Sequence, residues 1–246
     1  SMGLCTLIAS VAVAFVGIVR FVGLIAPHIV RTPLLRVPAL DEALGCQVYL
    51  KHEGFQTIGA FKLRGALNKA LSLSEEELGR GLVCASSGNH AQGVAYAAHK
   101  LGTQAVIVMP TNANPVKLAG VKRWGGQVEL VGTLSSQREE RAAQLVRERG
   151  MVEIHPYADP LVAAGQGTLA LEVLEDLPDA SLIAAPIGGG GLISGIATAV
   201  KGAAPQVRTV GVEPAVCWMP CSGSSACSAF PPVFPSGWLC SGSVLP

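Results

Sequence analysis

Charge is scarce at both ends of this 246-residue chain. Residues 1–30 hold one formally charged side chain, Arg20, and residues 214–246 hold none, so the other 17 basic and all 17 acidic residues fall within 31–213. That middle region has the charge density of an ordinary globular protein and enough length to bury a core. The net charge of +1 supplies no electrostatic reason for a nucleic-acid partner, and none is expected. Paired Cys-x-x-Cys units are also missing: seven cysteines are spread over positions 5, 46, 84, 217, 221, 227 and 240. A zinc module is thereby excluded. Only Cys46 and Cys84 belong to the charged middle, which leaves no disulfide framework and points to a reducing, cytoplasmic setting.

An uninterrupted membrane-length apolar run is lacking as well. Residues 4–19, LCTLIASVAVAFVGIV, are uncharged, but Arg20 breaks the stretch before FVGLIAP. A spanning helix needs about 20 apolar residues, and a mid-helix arginine costs ~2.5–3.5 kcal/mol on insertion scales. No basic segment precedes the run, so it does not read as a secretory signal. Residues 11–31 resemble a transmembrane stretch of iron-siderophore permease subunits. Two readings stand side by side for this segment, membrane contact by residues 4–26 and a helix packed on the core or on a second subunit. The 214–246 segment, rich in Pro, Ser, Gly and Cys, has no helical or strand period and reads as irregular.

The middle is strongly periodic. Apolar runs at Leu82–Ala85, Ala105–Met109 and Val128–Val131 alternate with helical patterns at Asn89–Leu101, Pro115–Trp124 and Ser135–Arg149. The same alternation resumes with a helix over Leu161–Leu177, a strand over Leu182–Pro186, a helix over Leu192–Ala203 and a strand over Arg208–Val212. Strand–helix repetition at this spacing predicts α/β architecture with two open parallel sheets. The expected organisation is an apolar segment, 1–30; a large domain from 31–77 and 154–213; a small α/β domain, 78–153, inserted into it; and a tail, 214–246.

Three motifs carry the chemistry. Gly188-Gly189-Gly190-Gly191 follows an apolar strand and opens a helix, so bare backbone N–H groups can meet an anion there. It lacks both the Gly-x-Gly-x-x-Gly dinucleotide spacing and a P-loop ending, which favours a phosphate monoester. Ser86-Ser87-Gly88-Asn89-His90 occupies another strand-to-helix turn. There Ser or Asn can cap the helix, and its first N–H groups can take a carboxylate. Lys62 stands among the small residues Gly59, Ala60 and Gly65, where a planar ligand can approach the backbone. A desolvated lysine loses its proton more readily and becomes a nucleophile.

With Lys51-x-Glu53-x-x-Gln56, His155-Pro156, Ala164–Thr168 and Val210–Pro214, these motifs resemble, in order, the threonine/serine dehydratase family of fold-type II pyridoxal-phosphate enzymes, serine racemase included. The resemblance runs from about Pro27 to Pro214. It implies a tryptophan synthase β-like fold with pyridoxal 5'-phosphate as cofactor. Lys62 would anchor the cofactor as a Schiff base, Phe61 would flank its ring, and Asn89 would bond its 3′-oxygen. Gly188, Gly189, Gly190, Gly191 and Leu192 would bind its phosphate. Ser86, Ser87, Asn89 and His90 would grip the substrate carboxylate. The implied reaction is β-elimination of L-threonine or L-serine to a 2-oxo acid and ammonia. Ser87 would be the acid/base on the face opposite Lys62, which keeps racemisation open as the alternative.

Two departures bear on this expectation. Ile58-Gly59-Ala60 replaces the usual Thr-Gly-Ser before Phe61-Lys62, retaining a small residue. Beyond Glu213-Pro214 nothing in the tail resembles the remaining strands of the large domain, which is therefore expected to be incomplete. Self-association into a homo-oligomer is expected to cover the face so bared, and a catalytically inactive chain is the further alternative. Cys217 and Met219 stand where the family's cation-binding aspartate would follow Glu213, so no metal site is expected.

Overall fold

The computed structural model describes residues 15–213. Helix α1 covers residues 15–25. Ile18 and Ile25 are buried against the rest of the molecule while Val16 and Val19 remain exposed, so this stretch of the apolar segment packs on the core along one stripe. Among the described residues no helix is long and apolar enough to cross a membrane. Residues 4–14 of the segment, and all of 214–246, lie outside the described region.

A short antiparallel pair follows, β1 (Leu34–Arg36) with β2 (Tyr49–Lys51), joined through α2 (Pro38–Leu44). The expected large parallel sheet does not include it. Each strand has three residues, too few to display a period of two. Helix α3 (Lys62–Leu71) and the short α4 (Glu75–Gly79) lead into the four-stranded parallel sheet β5-β4-β3-β6. Its strands are β3 (Leu82–Ala85), β4 (Ala105–Met109), β5 (Gln127–Leu130) and β6 (Val152–Glu153), connected by α5 (Asn89–Leu101), α6 (Pro115–Arg123) and α7 (Ser135–Arg149).

Side-chain alternation decides what each face of this sheet meets. Leu82, Cys84, Ile107 and Met109 join α3 and α5 in one core. Val83, Val106 and Val108 meet Ala142 and Leu145 of α7 in another. With both faces covered, β3 and β4 read as continuous apolar runs, as buried parallel strands must. Helices α8 (Pro160–Asp176) and α9 (Gly191–Ala203) flank the parallel pair β7 (Leu182–Pro186) and β8 (Arg208–Val212). In β7, Ile183 and Ala185 are buried while Leu182, Ala184 and Pro186 are exposed, so only one of its faces is packed.

Glycines set how closely the central helices approach. A Cβ at Gly165 of α8 would stand 2.6 Å from the Arg64 carbonyl oxygen and 2.7 Å from Gly65 Cα of α3. One at Gly167 would stand 2.6 Å from the Gly195 carbonyl oxygen of α9. Real Cβ atoms do not approach this closely, so α3, α8 and α9 stack backbone to backbone at these crossings. The three are thereby held in fixed register. Lys62 is the first residue of α3 and Gly191 the first of α9, so the α8 contacts carry both motifs.

Candidate active site

Lys62 begins α3 with its side chain largely withdrawn from water. Its amine donates to the carbonyl oxygen of Pro156 at 2.6 Å and lies 5.4 Å from the centre of the Phe61 ring. No carboxylate among the described residues pairs with it. Burial without a counter-ion lowers its pKa from that of an ordinary lysine, as the charged form loses hydration. The result is an amine poised to lose its proton, which an imine-forming nucleophile requires.

Beneath it, α3 is gripped from the other side by a buried ion network. Arg64 is fully buried, paired with both oxygens of Glu53 (2.9 and 2.8 Å) and both oxygens of Glu172 (2.6 and 3.0 Å), and bonded to Thr168 at 3.3 Å. Lys51 pairs with Glu172 at 2.6 Å and donates to the Thr32 carbonyl at 2.7 Å. Residues 62 and 64 point about 200° apart around a helix, so the network braces the face away from the Lys62 amine.

The serine-rich turn differs in detail from the capping expected of it. Gly88, not Ser or Asn, is the N-cap of α5, and no side chain caps that end. Ser86 Oγ accepts from Gly88 N at 3.4 Å, while Ser87 is half-buried and Asn89 exposed at the first helical position. His90 turns inward. Its Nε2 faces the Ile154 carbonyl oxygen at 2.7 Å and must donate, since a carbonyl only accepts. Burial pushes the His90 imidazole down to about 3, so it is neutral, with an unpartnered Nδ1. What His90 can offer a ligand in the turn is its backbone N–H.

The glycine run separates into two kinds of position. Gly188 and Gly190 face open space, and Gly190, at φ 85°, adopts a left-handed conformation as the N-cap of α9. Gly189 and Gly191 lie directly against Tyr157, the first against its ring and the second against its backbone. No side chain caps α9, and the Leu192 side chain packs into the β7–α8–α9 core, leaving its N–H for the loop. Helices α3, α5 and α9, which start at the three motifs, all lack side-chain caps. Helices α4, α6 and α8 are capped by Ser74, Asn114 and Asp159, while α2 and α7, away from the motifs, also start without a side-chain cap. Uncapped N-termini retain the partial positive charge that draws an anion.

One short segment joins all three motifs. The Ile154 carbonyl holds His90, the Pro156 carbonyl holds Lys62, and Tyr157 supports Gly189 and Gly191. His155 stiffens it: Nδ1 accepts from Tyr157 N at 3.3 Å and Ala158 N at 2.9 Å, and its ring meets Tyr157 edge-on with centroids 4.7 Å apart. In the sequence, His155-Pro156 carries no chemical signal of this role, and Tyr157 none at all.

Known proteins share the sequence and the fold of this chain. The family described as pyridoxal-phosphate dependent enzyme matches residues 25–243. The chain belongs to that family. The match extends past Pro214 into the segment whose composition had looked foreign to the rest. L-threonine ammonia-lyase of Thermotoga maritima is 48% identical over 183 residues, 74% of this chain and 46% of that protein. Serine racemase of Oryza sativa subsp. indica is 43% identical over 190 residues, 77% and 56% of the two. Among solved structures, maize serine racemase superposes with a TM-score of 0.80 at 40% identity, over 82% of this chain and 61% of that one. The chain spans about half the length of the curated relatives it matches. Its α/β fold is that of the fold-type II pyridoxal-phosphate enzymes.

The residues present suit the cofactor: a desolvated amine free of carboxylates, an aromatic ring beside it, and a glycine loop with an open face at an uncapped helix start. Pyridoxal phosphate is accordingly the cofactor of this family member.

Proposed function

We propose that this chain carries the catalytic half-site of a β-eliminating ammonia-lyase that converts L-threonine or L-serine to a 2-oxo acid and ammonia. The observation that carries the reading is the convergence of Lys62, the Ser86–His90 turn and the Gly188–Gly191 loop on residues 154–157. When bound, the cofactor supplies an electron sink for the negative charge left when the substrate Cα loses its proton. Lys62 would hold the cofactor and would be the base that takes that proton; Phe61 would flank the ring and Asn89 would bond the 3′-oxygen. Backbone N–H groups at the start of α5, with Ser86, Ser87, Asn89 and His90, orient the substrate carboxylate. Gly188, Gly189, Gly190, Gly191 and the Leu192 N–H receive the phosphate. The relatives named L-threonine ammonia-lyase support elimination as the reaction.

A second reading, serine racemisation, is favoured by one feature, the Ser87 hydroxyl in the turn, and by the relatives named serine racemase. We place the active protein in the cytoplasm as a homo-oligomer. Its larger domain is assigned to 31–77 and 154–213, its inserted domain to 78–153. The deciding experiment adds pyridoxal phosphate to the purified chain, follows Schiff-base absorbance, and traps the adduct with borohydride. Modification of Lys62 with 2-oxo acid release from threonine or serine supports the proposal. An unmodified Lys62 refutes it, and a loaded chain that yields only D-serine selects the racemase reading.

A further inference from the structure

We propose that Tyr157 is a positioning residue for the phosphate end of the cofactor, fixing the shape of the glycine loop and its distance from Lys62. The inference rests on the reading of Gly188–Gly191 as the phosphate cradle and adds to it the group that shapes the cradle.

The four glycines are not equivalent. Gly188 and Gly190 face open space, the side from which a ligand can come. At Gly189 a Cβ would run into the Tyr157 ring, and at Gly191 it would stand 3.0 Å from Tyr157 Cα and Cβ. The loop is therefore pressed at Gly189 and Gly191 onto one residue, while Gly188 and Gly190 stay open. Tyr157 is itself held firmly. Its backbone N–H and that of Ala158 both donate to His155 Nδ1, and the His155 ring meets its ring at 88°. Asp159 then caps α8 through Leu161 N and Val162 N, so the segment passes directly into the helix that spaces α3 from α9.

The preceding peptide completes the link. The Pro156 carbonyl takes the Lys62 amine at 2.6 Å, one residue away from the ring that supports the loop. A cofactor held at both ends must bridge the lysine and the loop, and a single dipeptide here touches both. Binding such a ligand is strong only if both anchoring points are set at the right separation beforehand. Tyr157 sets one of them.

The test compares pyridoxal 5'-phosphate with pyridoxal, which keeps the aldehyde and ring but has no phosphate. Both are titrated into the full chain by Schiff-base absorbance, with borohydride trapping at Lys62 as a second readout. The wild type is expected to prefer the phosphorylated form. Tyr157→Ala should weaken pyridoxal 5'-phosphate on the order of tenfold or more, a charge-assisted hydrogen bond's worth of affinity, with pyridoxal unchanged. Tyr157→Phe keeps the ring and should bind both as the wild type does. Gly189→Ala drives a methyl group into that ring and should reproduce the selective loss, serving as the readout if Tyr157→Ala does not fold. Equal weakening of both ligands, or none, in Tyr157→Ala and Gly189→Ala overturns the positioning role. A wild-type chain that traps both forms equally well removes the phosphate cradle itself, a failure distinct from that of Tyr157.

Discussion

Replacing Arg64 by methionine would remove the centre of the buried network while keeping an unbranched apolar stem in its space. The guanidinium is fully buried and makes four charge-assisted contacts to Glu53 and Glu172, plus one to Thr168. In the variant Glu172 keeps Lys51 at 2.6 Å, but Glu53 keeps only the Thr32 hydroxyl at 2.6 Å. One largely enclosed carboxylate therefore remains without a cation. Breaking a buried pair in this way costs about 3–5 kcal/mol, because the abandoned charge has lost both its partner and its hydration. Against a total stability of about 5–15 kcal/mol for a native protein, that is a large fraction. Urea unfolding followed by far-ultraviolet dichroism at pH 7.5 would measure it.

The loss should also depend on pH, and the sign follows from the carboxylates. Burial pushes Glu172 up, but its bonds to Arg64 and Lys51 outweigh burial and hold it below the usual glutamate value. A carboxylate with a lowered folded-state pKa stabilises the protein above its unfolded pKa and ceases to do so as pH falls through the folded one. Without Arg64 the hold on Glu172 weakens, and its carboxyl group takes a proton at higher pH than in the wild type. The gap between variant and wild type should thus narrow from pH 7.5 to pH 4.5, and Glu53→Gln in the Arg64→Met background should restore part of the stability. Arg64→Lys should recover little, since one ammonium cannot serve two bidentate partners. A loss below about 1 kcal/mol, or one independent of pH, would refute the account.

Other outcomes follow from the same geometry. Because burial lowers the Lys62 pKa, the rate of Schiff-base formation with added pyridoxal 5'-phosphate should rise with pH through a midpoint below that of a free lysine; a midpoint at or above 10.5 contradicts the desolvation argument. Gly165→Ala should separate α3 from α8 at a cost of ~1–3 kcal/mol, the usual penalty of overpacking, and weaken cofactor loading with it; wild-type unfolding midpoint and loading together would show that the close approach does not matter. Ser87→Ala should abolish formation of D-serine while sparing 2-oxo acid production, and equal loss of both activities counts against an acid/base role for Ser87.

Much of the architecture was legible because the period of a pattern is a local property. Val83, Val106 and Val108 alternate with Cys84, Ile107 and Met109 to fill both faces of a sheet, and such runs announce buried parallel strands wherever they occur. Strands β1, β2 and β6, of two or three residues, are too short to have a period and depend on what they pair with. In the turn at Ser86–His90 the composition was informative and the detail was not. The capping expected of Ser or Asn gives way to an uncapped Gly88, and the His90 side chain goes to Ile154 because a buried carbonyl needed a donor.

Lys62, the serine-rich turn and the glycine run could be recognised one by one, each from residues adjacent in the chain. Their meeting could not, since Lys62 bonds to a residue 94 positions on and Arg64 to one 108 positions on. Local sequence determines which segments become strands or helices, and which turns can hold an anion, because backbone sterics and side-chain period act over a few residues. Tertiary packing alone decided that the Lys62 amine would lose its water and find no carboxylate. It also divided the four glycines between two facing open space and two pressed on Tyr157, since these outcomes turn on atoms that the chain brings together only when α3, α8 and α9 close on one another.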